Sequence, residues 1–333
     1  MSAAPMDRSK LRAELERLAG ERRWSEIRDR VSSLTDAEVA SDAKLAFQVA
    51  EALLHLGDMD RALTFALAAE SQFRAEHDQV NLLGALNLAG AVQFELGDLG
   101  GAEERFSDLL ELARERGDDE MSARATNNLG ALAALRGDYA SALSLFRLSI
   151  PAYQKVGFRA GLAQTAHNLG ILHRDMGQWG EAERQYQDAL RRARQLDDER
   201  LAAMARVGRA EVAHLRGDHI LAAAEARNAL ESFEGIGDEL GRADALKLLG
   251  SISLARGELD EAGAHLQDAL ELARQHANPL LEAEVLQVRG ELHAQGGRAA
   301  LARAELEAAA GIYRRLAAYR RLEEIEADLD RVS

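Results

Sequence analysis

Apolar residues return along this chain at helical spacing. Leu11, Leu15 and Leu18, then Trp24, Ile27, Val31 and Leu34, fall three or four apart and predict two amphipathic helices near the N-terminus. Thr35 followed by Glu38 has the form of a capping box opening the next helix. Leu322, Ile325, Leu329 and Val332 predict a one-sided helix at the other end, charged on its opposite face as a terminal cap should be. Between these ends the pattern repeats. Gly stands at 57, 97, 137, 177, 217, 257 and 297, and Ala at 62, 102, 142, 182, 222, 262 and 302, a step of 40 residues. With 27 Gly in 333 residues, chance does not produce such columns, and the period is that of a stacked repeat.

Each unit reads as two helices. The first ends at the recurrent Gly, which suits a left-handed C-cap. An acidic residue often follows, as in Gly97-Asp98, Gly137-Asp138 and Gly217-Asp218, and can cap the second helix. A further turn at Gly117, Gly157 or Gly237 ends that one, and Asn278-Pro279 announces another start. Gly90, Gly130, Gly170, Gly250 and Gly290 form a looser column, broken by Ala210. Phe106, Phe146, Tyr186, Leu266 and Leu306 form another, with Ala66 and Ala226 as exceptions. Small residues let paired helices approach, and the large ones fill the spaces between repeats. Pro151 falls inside the second helix of the third unit and predicts a bend there.

Length alone suggests two domains, but no Gly/Ser-rich or Pro-rich linker interrupts the series, so one continuous stack is expected. Its parts are an N-terminal helical pair (6–40), seven repeats (41–317) and a capping helix (318–332). Leu129-Gly130, Gly137-Asp138-Tyr139, Ala142 and Phe146, and then Leu169-Gly170, Gly177, Trp179, Ala182 and Tyr186, carry the pattern L-G…G-D-[YW]-x-x-A…F/Y. This resembles the tetratricopeptide repeat, in the 40-residue form of kinesin light chain and of the sensor arms of bacterial regulators. The resemblance implies an all-α fold, a right-handed α-solenoid of antiparallel helix pairs whose first helices line a concave groove. Arg209-Ala210 and Arg289 depart from the Leu-Gly position, so the repeats are not expected to be used equally.

Composition narrows the function. A net charge of −15 argues against nucleic acid, whose binding rests on neutralising phosphates. Without cysteine there is no disulfide and no thiolate metal site. No apolar run has the length of a signal peptide or membrane span, and a cytoplasmic protein of bacterial composition is expected. Catalytic signatures are missing: His173-Arg174-Asp175 lies in a predicted helix without a phosphate loop. Neither His167/His173 nor His214/His219 has a spacing that stacks two imidazoles on one helical face. The chain is therefore read as a non-enzyme needing no metal and no cofactor.

The polar residues inside the first helices point instead to binding. Asn127 and Asn128 sit side by side in "ATNNLG", and His167 and Asn168 occupy the same places one repeat later, although Asn is a mediocre helix former. Helical spacing puts Arg124, Asn127, Asn128 and Ala131 on one stripe, and Gln164, His167, Asn168 and Ile171 on the next, with Arg174 a turn later. Asn87 matches Asn127 one repeat earlier, and Glu211, His214 and Lys247 follow further on. An amide both donates and accepts, so it can hold a peptide backbone whatever its side chains. The resemblance adds that an Asn in this column, with basic neighbours such as Arg124 and Arg174, commonly holds a peptide backbone or terminal carboxylate; the alternative is that these amides simply bond a neighbouring helix.

Residues 121–160 carry five basic side chains and one acid (5 − 1 = +4), whereas 81–120 carry three basic and ten acidic (3 − 10 = −7). This polarity either steers a charged partner or belongs to a solvated outer face. The expected function is a scaffold binding a peptide segment of a protein partner, or else a sensor whose superhelix responds to a small molecule or signalling peptide. A homo-oligomer through the terminal helices is also open.

Overall fold

The computed structural model describes residues 8–332, and every regular element among them is a helix. Three helices precede the repeats: α1 (Arg8–Gly20), α2 (Trp24–Val31) and the short α3 (Asp36–Ala40). Seven antiparallel pairs follow: α4 (Ala43–Leu56) with α5 (Met59–Ala75), α6 (Gln79–Glu95) with α7 (Leu99–Arg116), α8 (Asp119–Leu135) with α9 (Tyr139–Val156), and α10 (Arg159–Asp175) with α11 (Trp179–Gln195). They continue with α12 (Glu199–Leu215) and α13 (His219–Ile236), α14 (Glu239–Ala255) and α15 (Leu259–Gln275), and α16 (Pro279–Gln295) and α17 (Ala299–Arg315). Helix α18 (Tyr319–Arg331) ends the stack. The Thr35–Glu38 capping box is present, but it opens only the five-residue α3 before Asp42 caps α4. Residues 6 and 7 of the expected N-terminal pair lie outside the described residues.

The turns follow from their residues. All seven recurrent glycines have positive φ, from 70° at Gly297 to 85° at Gly137, where a side chain would meet the backbone. Gly137 N–H donates to Ala134 C=O (3.0 Å) and Asp138 N–H to Ala133 C=O (2.9 Å), the paired bonds that close a helix end. Asp98, Asp138 and Asp218 then accept from the backbone N–H of Gly101, Ser141 and Leu221 and start the second helices. Asn278 does the same for α16, with Pro279 in its first turn. Between pairs the left-handed position is Gly at 117, 157 and 237, but His77, Asp197, Ala277 and Ala317 also take it, with φ between 48° and 56°. These four carry no glycine signal, so that half of the turn chemistry was hidden.

Within each pair a large side chain enters a glycine gap. A methyl on Gly90, Gly130 or Gly170 would come within 2.6, 2.8 and 2.6 Å of Phe106, Phe146 and Tyr186, and one on Gly250 or Gly290 within 2.6 or 2.7 Å of Leu266 or Leu306. The exceptions coincide: Ala210 faces the repeat that carries Ala226, and Ala50 the one that carries Ala66, all four fully buried. Gap and filler shrink together. The Ala column from 62 to 302 is wholly buried and lets the paired helices touch. Helix α9 runs unbroken through Pro151, which is exposed, as is Arg147, whose carbonyl loses its donor.

Each first helix also packs on the first helix of the next pair, and no comparable contact joins successive second helices. The stack therefore curves with its first helices inside. It curves until it meets itself. The within-pair rim at Gly57, Gly97 and Gly137 abuts the between-pair rim at His276, Pro279, Leu316 and Arg320. Arg22 pairs with Asp198 at 3.1 Å, Asn278 donates to Glu95 at 3.2 Å, Leu240 packs against the N-terminal core and Leu135 against the C-terminal one. The solenoid is thus a closed turn around a lumen, joined along a seam of mixed apolar and polar contacts.

Two outcomes follow. Gly130→Ala should cost about 1–3 kcal/mol by overpacking and Phe146→Ala about 3–5 kcal/mol. The double variant recreates the Ala210/Ala226 pairing and should cost about 1 kcal/mol less than the sum in chemical denaturation; strict additivity would contradict the gap-and-filler account. Gly97→Val and Gly217→Val place the same side chain at nearly equal φ, 76° and 82°, but only the first meets Leu316 and Pro279 across the seam. In dilute-solution X-ray scattering the radius of gyration should rise for Gly97→Val alone, and matching values for the two variants would argue against closure.

Candidate functional site

The first helices, which lie on the inside of the curve, carry a stripe of half-buried side chains. It holds Asn87, Arg124, Asn128, Gln164, Asn168, Ile171 and Arg174. Asn127 and His167, expected on the same stripe, are only 4% and 5% exposed. They turn into the packing between pairs, because residues one apart on a helix diverge by about 100°. Thr165 Oγ1 donates to Asn127 Oδ1 at 3.0 Å, and the His167 ring lies 5.6 Å from Tyr186. Burial, with Arg174 and Arg200 adding to it, pushes the His167 imidazole down to about 4, so it is neutral near pH 7.

The remaining polar groups pair with one another. Asn128 Nδ2 donates to Asn87 Oδ1 at 3.0 Å, and Gln164 Nε2 to Asn168 Oδ1 at 3.0 Å. Arg124 pairs with Glu120 at 2.8 Å and lies 4.3 Å over the Phe158 ring. Burial raises the Glu51 carboxyl, and Arg124 partly offsets this. The basic block of 121–160 is zipped onto the acidic block before it: Arg136 to Glu103 at 2.7 Å, Lys155 to Asp119, Arg124 to Glu120. That pairing spends much of the charge polarity inside the molecule.

Arg174 heads a second feature that a 40-residue search does not find. It binds Glu211 on the next first helix and Asp175 at 2.8 Å on its own. Lys247 lies 2.7 Å from Asp244 and 2.5 Å from Glu284, and Glu284 lies 3.8 Å from Arg321. Arg174, Glu211, Lys247, Glu284 and Arg321 alternate in sign along the lumen, and the bonded pairs Arg174–Glu211 and Lys247–Glu284 are each 37 residues apart. The step falls short of the repeat by about one helical turn because each first helix leans against the next. Burial disfavours the Lys247 ammonium, but Asp244 and Glu284 outweigh it and hold its pKa above the usual value. Glu284, pushed up by burial, is drawn down to about 2 by Lys247 and Arg321.

His214 and His219 approach across the α12–α13 turn, Nδ1 to Nδ1 at 3.2 Å, a meeting that spacing along one helix does not reveal. Among the described residues no three His, Asp or Glu gather in a way that could hold a metal, and no helix is long and apolar enough to cross a membrane.

Glu284 contributes to the acid limb of stability. Its folded pKa of about 2 lies below the ordinary 4.5, so its contribution is complete above about pH 4.5 and is lost as pH falls toward 2. Glu284→Gln should lower stability by about 3 kcal/mol at pH 7 and by progressively less below pH 4.5. A difference independent of pH would remove Glu284 from the ladder.

Three tetratricopeptide repeat family models match the sequence, over residues 121–195, 167–237 and 245–280, and a model of anaphase-promoting complex subunit 5 matches residues 73–136. No curated protein gives a significant sequence match. Among solved structures, a Rap protein complexed with competence and sporulation factor is similar over 98% of this chain and 97% of its own, with a TM-score of 0.64 and 15% identity. NprR in complex with its cognate peptide NprX is similar over 96% of this chain and 99% of its own, with a TM-score of 0.61 and 13% identity. BtubC (BKLC) from P. vanneervenii covers 65% of this chain and 91% of its own, at a TM-score of 0.50 and 19% identity. At such identities the likeness is one of fold. With the repeat signature, the seven helix pairs and the family models in agreement, the chain belongs to the tetratricopeptide repeat family.

Proposed function

We infer that this protein binds a peptide segment of a protein partner along its lumen, non-catalytically and without a cofactor. The observation that carries this reading is the half-buried amide stripe, Asn87, Asn128, Gln164 and Asn168, on first helices that face the inside of a closed turn. These amides satisfy one another, Asn128 with Asn87 across repeats and Gln164 with Asn168 along α10, and an extended backbone supplies the same donors and acceptors, so exchange costs few hydrogen bonds. Arg124 would meet acidic groups or a terminal carboxylate, Arg174 would do so only in exchange for its bonds to Glu211 and Asp175, and Ile171 would select side chains. Asn127 and His167 would act indirectly, by holding the stripe in place. One of the structural relatives, NprR, is a complex with its cognate peptide, which favours the peptide over a folded partner.

A sensor reading gains support from the seam. The Arg22–Asp198 pair is partly exposed, hence weak, and Asn278–Glu95 is a single part-buried bond, so a ligand in the lumen could shift how firmly the turn closes. Small-angle scattering with and without a bound peptide separates the readings, since a scaffold need not change its dimensions.

The test starts from random peptides displayed on phage and panned against the wild type. Peptides so selected should lose at least about tenfold in affinity, about 1.4 kcal/mol, for the triple variant Arg124→Glu, Asn128→Ala, Asn168→Ala, while its helicity is unchanged. Equal binding by the two proteins would move the interface off the stripe and return the asparagines to a purely structural role.

A further inference from the structure

The seam uses only part of each rim. On the within-pair rim, Gly57, Gly97 and Gly137 are covered, but a methyl on Gly177, Gly217, Gly257 or Gly297 would meet nothing within 4 Å. On the between-pair rim, the later turns at His276, Pro279, Leu316 and Arg320 do the covering, while methyls on Gly117 and Gly157 again meet nothing. The molecule therefore ends in two unlike open rims, each the continuation of one that is buried elsewhere in the same chain.

The open rims carry the residues a further seam would need. Leu215 occupies the repeat position of Leu135. Leu135 packs against the C-terminal core across the seam, whereas Leu215 is 47% exposed. Ile220 beside it is 86% exposed, with Leu221 next to it and Trp179 one pair earlier also open. On the opposite rim Val80 occupies the repeat position of Leu240. Leu240 packs against the N-terminal core, and Val80 is 64% exposed. Arg216, Arg256 and Arg298 stand exposed on the within-pair rim of the later repeats, the first two beside Glu183 and Glu258, and Glu76, Asp78 and Asp118 lie along the between-pair rim of the early ones. Single exposed aliphatic residues are ordinary, but two matched rims at the repeat positions of an existing contact are not.

We propose that a second copy of this chain docks edge to edge on the Leu215–Ile220 rim through its own Val80 rim, continuing the seam between molecules. The contact is heterologous: one face of each copy meets the other face of the next. It therefore leaves a free rim at both ends and propagates into a stack rather than closing as a symmetric dimer.

Analytical ultracentrifugation over a wide range of protein concentration tests this with the full chain and two exposed-site variants, Ile220→Asp and Val80→Asp, whose circular dichroism should match wild type. Wild type should grow in mass with concentration past the dimer. Each variant alone should remain monomeric, because each lacks one of the two faces. Mixed in equal amounts they should form a 1:1 dimer and stop, since the intact Leu215–Ile220 rim of the Val80→Asp protein meets the intact Val80 rim of the other. Wild type that stays monomeric at every concentration overturns the proposal. So does a dimer that survives either substitution, or a mixture that fails to pair.

Discussion

The absence of a Cβ at one position of the first helix is the constraint on which this architecture turns. Gly130 and its equivalents open a gap that Phe146 and its equivalents occupy, and that contact sets how closely the helices of a pair approach. The approach within pairs, and the packing of each first helix on the next, fix the small rotation from pair to pair. Repeated seven times, the rotation carries the chain far enough for residues about 219 apart, His276 and Gly57, to meet. Ala210/Ala226 and Ala50/Ala66 keep the same spacing with smaller parts, so two altered repeats do not interrupt the curve.

The inner surface carries its charges at the contacts between successive first helices, where Arg174 meets Glu211 and Lys247 meets Glu284 with little solvent between them. Such charges are tolerable only when paired, and the alternating signs provide the pairs. The later half of the lumen is therefore committed to itself electrostatically. The earlier half is lined by neutral amides, whose mutual bonds exchange at lower cost. The physical asymmetry between the two halves is the reason for proposing repeats 2–4, rather than the whole lumen, as the place for a peptide.

Much of this was legible in the sequence. The strict glycine column gave the left-handed turns because no other residue takes φ near 80° cheaply, and Asp98, Asp138, Asp218 and Asn278 marked helix starts through their own caps. The turns at Ala277 and Ala317 were not legible, since alanine enters the left-handed region only when its surroundings demand it. The ion ladder escaped because it steps by 37 residues where the repeat steps by 40, although Glu211 and Lys247 could each be picked out singly. Asn127 and Asn128 separated because adjacent positions on a helix point apart, one into the stack and one toward the lumen. The seam depends on cumulative curvature, which no single repeat encodes.

The closed turn is the claim on which the enclosed lumen and its seam depend. It is tested most directly by a distance across the seam. The chain has no native cysteine, so spin labels at Asp60→Cys and Gln275→Cys, two exposed positions beside the meeting rims, can be read by double electron–electron resonance without background. A narrow distribution at short distance is the predicted result. A broad distribution at long distance would mean an open solenoid in solution, and would contradict the account.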